Sequence, residues 1–241
     1  MYFKLVYLKI AAIIILTVNC LIANNIDTPT TTIADIEELA KSPNWLDRNT
    51  AAKQLIHISF EDTSKVVELI VKGIKREISN PSSDSMQTST FLSDSERILM
   101  TYFDNLVKLG KPINKLLLSL NDSLKGDEIF WIKLALGYLK EETVHDEIKN
   151  ILLNNPNPTL RIAAVRSLAQ YNDSADTEVY ILALSDPYQV TYRSDHGDVK
   201  EGEYYQVLSI YPIRSYSVSE LAKRGIIVEQ DSNGNYIVKD K

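Results

Sequence analysis

Residues 155–173 read NPNPTLRIAAVRSLAQYND. Two prolines open the stretch. Behind them Leu160, Ile162, Ala163, Ala164, Val165, Leu168 and Ala169 fall along one predicted helix, interrupted by Arg161 and Arg166. A helix lying on the surface of a soluble protein keeps one apolar stripe and leaves the rest polar. This one is small and apolar over most of its girth, which predicts a helix packed between two neighbours.

The same pattern recurs along the chain. In SPNWLDRNTAAKQLIHIS, residues 42–59, Pro43, Asn44, Arg48, Ala51 and Leu55 stand where Pro156, Asn157, Arg161, Ala164 and Leu168 stand in the first stretch. YPIRSYSVSELAKRGI, residues 211–226, repeats the spacing with Arg214, Ser217 and Leu221. IFWIKLALGYLKEE, residues 129–142, keeps it as Ile132, Ala135 and Leu139 without the arginine, and residues 94–110 carry the most degenerate copy. Residues three and four apart share one helical face, so the small residue admits a neighbouring helix and the leucine fills the next turn. A second apolar helix is expected after each copy, at 66–78, 112–122, 145–155 and 177–186. Asn-Pro, Gly-Lys-Pro and Asp-Pro punctuate the gaps. The unit is helix–turn–helix, recurring roughly every 30 to 50 residues.

This P-N-x-x-x-R-x-x-A-x-x-x-L pattern with an apolar partner helix resembles HEAT repeats, in particular the bacterial HEAT-like type of the phycobilin lyases. The resemblance covers about residues 38–225 and is strongest at 155–186. It implies an all-α fold, an α-α superhelix (a HEAT-like solenoid) of about four to five helix pairs with a concave binding face. It also implies that Arg48, Arg161 and Arg214 each pair with a carboxylate or a carbonyl of the next repeat, against the alternative of a cationic ladder on the concave face. The function it implies is a non-enzymatic protein–protein interaction scaffold. The lyases that share the repeat type supply the alternative of a chromophore-handling or other enzyme.

Two stretches break the pattern. Residues 79–93 are polar and read as a linker. Residues 187–211 hold YQVTYR and EYYQVLS around SDHGDVKEG, which reads as a β-hairpin insertion. Residues 226–241 predict a second hairpin, turning at Asn233-Gly234 and capping the open end of the stack.

The N-terminus addresses compartment. MYFKLVYLK is basic, IAAIIILTVNCLIA is an almost uninterrupted apolar run, and polar NNIDTPTTT follows. This order describes a secretory signal over residues 1–23 with cleavage after Ala23, followed by a flexible leader over 24–37. LTVNC also resembles a lipobox with Cys20 as the lipid-bearing residue, although Asn19 replaces the usual small residue. A retained anchor over residues 5–23 is the third reading. The expected location is the periplasm or the cell surface. The chain of 241 residues has 44% hydrophobic and 24% charged content and a formal charge of −6. Cleavage removes two of the 26 basic residues and no acid, leaving −8 against nucleic acid as a partner. It also removes Cys20, the only cysteine, so the core alone must hold the mature chain.

No zinc-protease, esterase, P-loop or dinucleotide motif is present, and no cofactor or metal is expected. His57 reads as a helix-end residue and His145 as a surface cap beside Asp146 and Glu147. Asp195-His196-Gly197-Asp198 has metal-ligand types but reads as a solvated hairpin tip. Trp45 and Trp131 read as packing residues. Eight of the thirteen tyrosines lie between 180 and 236, which concentrates rigid, half-polar rings near the C-terminus. They either pad the terminal cap or contact a protein or peptide partner. In the second case Tyr188, Tyr192, His196, Tyr204 and Tyr205 are the candidate contact residues.

Overall fold

The computed structural model describes residues 32–58, 62–81, 92–193, 207–231 and 235–239. Within them the chain is mostly helical. Ten α-helices run in order: α1 (Ile33–Lys41), α2 (Trp45–Ile58), α3 (Thr63–Ser79), α4 (Asp94–Leu109), α5 (Asn114–Ser123), α6 (Glu128–Tyr138), α7 (His145–Asn154), α8 (Pro158–Leu168), α9 (Thr177–Ala183) and α10 (Pro212–Lys223). Two antiparallel two-stranded sheets sit near the C-terminus. β1 (Val190–Arg193) pairs with β2 (Val207–Ile210), and β3 (Ile227–Gln230) with β4 (Tyr236–Lys239). The first hairpin precedes α10 and the second follows it.

Local chemistry sets the helix starts. The Asp62 carboxylate caps α3 by accepting the Lys65 N–H. Ser93 and Glu96 form a reciprocal capping box at α4. Asn157 accepts the Thr159 N–H at the start of α8, where Pro158 occupies the first turn and has no N–H to leave unsatisfied. The helix ends recur. Residues just past α4, α6, α8 and α10 take positive φ: Gly110, Lys140, Asn172 and Gly225. After the first three of them the chain makes a three-residue 3-10 turn, at Lys111–Ile113, Glu142–Val144 and Ser174–Asp176. Each turn leads directly into the next helix.

The even-numbered helices form a chain of neighbours, α2 on α4, α4 on α6, α6 on α8 and α8 on α10. Each odd-numbered helix packs on the even-numbered helix that follows it. Side chains lace the even row together. Asn105 of α4 donates to the Ala52 carbonyl of α2 at 2.6 Å. Ser167 of α8 donates to the Leu134 carbonyl of α6 at 2.8 Å. The expected core pattern is present: Ala51 and Leu55, Ala135 and Leu139, Ala164 and Leu168, and Ser217 and Leu221 are all buried. Trp131 is buried, and Trp45 packs against the core with the Arg97 guanidinium over its ring. Gly137 on α6 lets α7 close in, because a Cβ there would collide with Ile148.

The structure adds two things to the sequence expectation. Residues 33–37 of the stretch expected as a leader belong to α1, which begins at Ile33 and gives the row its first odd-numbered partner. And α4 touches α8 across α6: Arg166 Nη2 donates to Asp104 Oδ1 at 2.8 Å, and Thr159 Oγ1 to Glu96 Oε1 at 2.7 Å. The side of the row where α4 and α8 meet is therefore bridged. The apolar run at 5–23, with Cys20 and Ala23, lies outside the described residues. Among the described residues no helix is long and apolar enough to cross a membrane.

Candidate functional site

The recurring arginines do most of their work inside the protein. Arg48 is buried and bidentate on Glu77, with Nε at 2.6 Å and Nη2 at 3.3 Å. Its Nη1 donates to the carbonyls of Ser42 and Pro43. Arg161 repeats this atom for atom. Nε and Nη2 meet the Asp186 carboxylate at 2.7 and 3.1 Å, and Nη1 donates to the carbonyls of Asn155 and Pro156. The fork geometry makes each a strong, directional pair. The carboxylates come from the end of the odd-numbered helix after each arginine's own, within the same helix–turn–helix unit and not from the next repeat, which corrects the sequence expectation. An odd-numbered helix is thereby tied back over the helix before it.

Arg214 departs from this pattern. Its Nε donates to the Asp186 carbonyl at 2.6 Å, and its guanidinium lies 4.1 Å from the centre of the Tyr211 ring. Among the described residues no carboxylate meets its two terminal nitrogens. Asp186 thus serves both arginines, with its side chain for Arg161 and its main chain for Arg214. Beyond Arg214 lies a groove of about 440 Å³, walled by Ile181, Leu184 and Ser185 of the α9 end and by Tyr236, Ile237 and Val238 of β4.

The candidate tyrosines lie beside this end. Tyr188 is half-buried against the core, and its N–H donates to Asp186 Oδ1 at 2.9 Å. Burial first, and the Glu96 carboxylate second, hold its phenol above the usual tyrosine range. Tyr192 stands on β1 opposite Leu208. His196, Tyr204 and Tyr205 lie outside the described residues, as does the Asp195–Asp198 cluster. The two hairpins are thus in place, and the tip that carried the most polar candidates is not among the residues described.

One polar node escaped the sequence reading. His145, expected as a surface cap, is instead packed in: its ring stacks on Tyr171 at 4.1 Å, and its Nε2 lies 3.0 Å from Asp176 Oδ2. Lys149 Nζ meets Asp176 Oδ1 at 3.2 Å. Burial lowers the Lys149 pKa, but the Asp176 and Asp146 carboxylates outweigh it and hold the ammonium above its usual range. Asp176 itself is fully buried. Aligning the 3-10 turns would have flagged it, since the matching residues Ile113 and Val144 are buried and apolar. His145, Asp173 and Asp176 place three metal-ligand atoms within 4.8 Å of one another. Groups at hand already meet them, because Lys149 Nζ and His145 Nε2 lie against the Asp176 carboxylate, and Asp173 Oδ1 accepts the Ala175 N–H. The node ties α7 to the turn before α9. His57, as expected, sits in the last turn of α2 and is exposed.

No family model matches the chain, and no curated protein and no solved structure resembles it.

Proposed function

We propose that the chain is an exported HEAT-like α-solenoid that acts as a non-enzymatic scaffold, offering a surface to a protein or peptide partner. The observation that carries this reading is the recurrence of one backbone device. A residue of positive φ, a three-residue 3-10 turn and a new helix follow one another at 110–114, 140–145 and 172–177. A translational repeat of helix pairs requires the same turn at each layer, and the repeated arginine clamps at Arg48 and Arg161 add side chains to the same register. Four of the six buried carboxylates among the described residues support a structural use: Glu77, Asp186, Asp176 and Glu220 each meet a basic side chain.

The partner surface is read as the outer faces of α7 and α9 together with the terminal hairpins. Leu153, Leu182 and Ile237 are large apolar side chains exposed there. The opposite flank, where α4 meets α8, is closed by its own ion pair.

The test is photo-crosslinking in the native cell envelope, with the reactive group placed at Leu153, Leu182 or Tyr188, and at His57 for comparison. The expected result is one or a few discrete protein adducts from the first three positions and none from His57. Equal or absent adducts at all four positions refute the partner surface. Intact-mass measurement of the mature chain decides among cleavage after Ala23, lipid on Cys20 and a retained leader.

A further inference from the structure

Three arginines stand in register, and two of them hold a carboxylate. Arg48 takes Glu77, and Arg161 takes Asp186, each with Nε and Nη2 in a two-pronged contact. In each case the acid comes from the end of the odd-numbered helix that follows. Among the described residues no helix follows α10. The β3–β4 hairpin takes that place, and its described acids are engaged within it, Glu229 with Lys239 at 3.3 Å and Asp231 with the Asn235 N–H and side-chain amide. The Arg214 guanidinium is nevertheless held in place by the Asp186 carbonyl and the Tyr211 ring. A fixed guanidinium has lost its rotamer freedom before any ligand arrives, so an incoming carboxylate meets a preorganised partner.

Its setting is equally specific. The groove in front of it is apolar on both walls, with Ile181 and Leu184 on one side and Ile237 and Val238 on the other. The hairpin register explains how the β4 wall is built. Val228 pairs with Val238, and both are partly buried against the core, while Ile237 lines the groove and is 45% exposed. Nothing in the packing of α10 requires Ile237 to be apolar, nor Leu182 next to the opposite wall, which is 50% exposed. An anion site flanked by exposed aliphatic side chains matches one kind of ligand.

We propose that the groove between α9, α10 and β4 recognises an acidic side chain, carried by a partner peptide between aliphatic residues, with Arg214 as the carboxylate-binding group. The occupant supplies in trans the acid that Glu77 and Asp186 supply in cis. The inference deepens the scaffold reading by naming the chemistry of one contact, and it depends on that reading only for the existence of a partner.

The test is a titration of the full chain, isotope-labelled at methyl and arginine Nε positions. The probes are an acetylated, amidated Ala-Leu-Glu-Leu-Ser peptide and the same peptide with Gln in place of Glu. The Glu peptide is expected to shift the methyl signals of Ile181, Leu184, Ile237 and Val238 and the Arg214 Nε–H signal. The Gln peptide is expected to bind at least about tenfold more weakly, the lower range for a hydrogen bond to a charged group. Arg214→Gln removes the difference between the two peptides. Ile237→Ser, an exposed position that leaves the fold intact, weakens both peptides alike and guards against a folding failure in the first variant. Equal binding of both peptides overturns the proposal, as do shifts that map elsewhere or no shifts at millimolar peptide. Binding that emerges only after removal of Asp240 and Lys241 also overturns it, because the chain's own tail is then the occupant. Loss here with crosslinking intact at Leu153 or Tyr188 rejects the groove and leaves the scaffold reading standing.

Discussion

Arg161 on α8 and Arg214 on α10 begin matching helices, and each has a buried small residue three positions on and a buried leucine seven on. Their electrostatic settings are opposite. Arg161 is enclosed, with a carboxylate on one edge and two carbonyls on the other. Arg214 keeps one carbonyl and one aromatic ring and faces a groove. The contrast teaches what the end of a helix row does to a repeated residue. Inside the row the next odd-numbered helix supplies the counter-charge. After α10 no such helix follows among the described residues, and Arg214 keeps only the Asp186 carbonyl and the Tyr211 ring.

Removing the enclosed arginines gives the largest effect. Arg48→Ala or Arg161→Ala strands a buried carboxylate, Glu77 or Asp186, and costs about 3–5 kcal/mol in urea unfolding. Replacing both members together, Arg48→Met with Glu77→Met, recovers most of the loss, because no charge is left unpaired. If the double variant is as unstable as the single one, the clamp owes its weight to packing and not to charge.

Two of the three 3-10 turns sharpen the comparison next. Val144 and Asp176 occupy matching positions, and both are buried. Val144→Asp puts a carboxylate where no cation awaits it and costs several kcal/mol, about 3 or more. Asp176→Val leaves His145 and Lys149, whose side chains are 12% and 25% exposed and can turn to water. It changes stability by about 1 kcal/mol or less. Equivalent losses from the two variants refute the idea that the turn at 174–176 tolerates an apolar plug.

Alkali tests the neighbourhood of the first clamp. Burial first, and the nearby Glu77 second, push the Tyr102 phenol well above its ordinary value. The unfolded chain loses that proton near pH 10 and the folded chain keeps it. The folded state therefore binds more protons above pH 10, and stability falls as pH rises. At pH 11 the loss from this one group is about 1.4 kcal/mol. Tyr102→Phe removes that part of the slope between pH 10 and 11, while Tyr180, whose phenol burial also raises, retains its own. Denaturant midpoints measured across that interval decide it.

Arg214→Ala comes below these. It gives up one hydrogen bond and one ring stack, about 1 kcal/mol together. A loss as large as that of Arg161→Ala erases the distinction between the enclosed and the end position.

How much of this was legible beforehand follows from range of interaction. The apolar faces were legible, since the residues at spacings of three and four are those the structure buries at Ala51, Leu55, Ala164 and Leu168. The hairpins at 190–210 and 227–239 were legible from β-branched and aromatic runs and turn residues. The source of each arginine's acid was not, because Glu77 lies 29 residues from Arg48 and nothing local links them. His145 read as a cap from its acidic neighbours, yet its partners Tyr171 and Asp176 arrive from the next turn. Nor did any spacing show α4 bonding to α8, a contact between residues 62 apart in sequence. Periodicity reports the face a helix buries. It does not report which charged side chain reaches across to it.

The smallest effect comes from the left-handed residues that close the even-numbered helices. Gly110 and Gly225 take positive φ without cost, since they have no Cβ to crowd the following carbonyl. Lys140 takes φ 64° at the matching place after α6 and pays for it, by an amount of order 1 kcal/mol. Its backbone N–H bonds to the Gly137 carbonyl, so the conformation is kept by the turn and not by the side chain. Lys140→Gly relieves the crowding but frees the unfolded chain, and the two changes oppose each other. The net expectation is a gain of about 0.5 kcal/mol, read as a rise in the denaturant midpoint at unchanged slope. Asn172 is the internal control, because asparagine tolerates this region better than lysine. Asn172→Gly gains less than Lys140→Gly if both turns are the same device, and a larger gain at Asn172 means that the two turns are held by different forces.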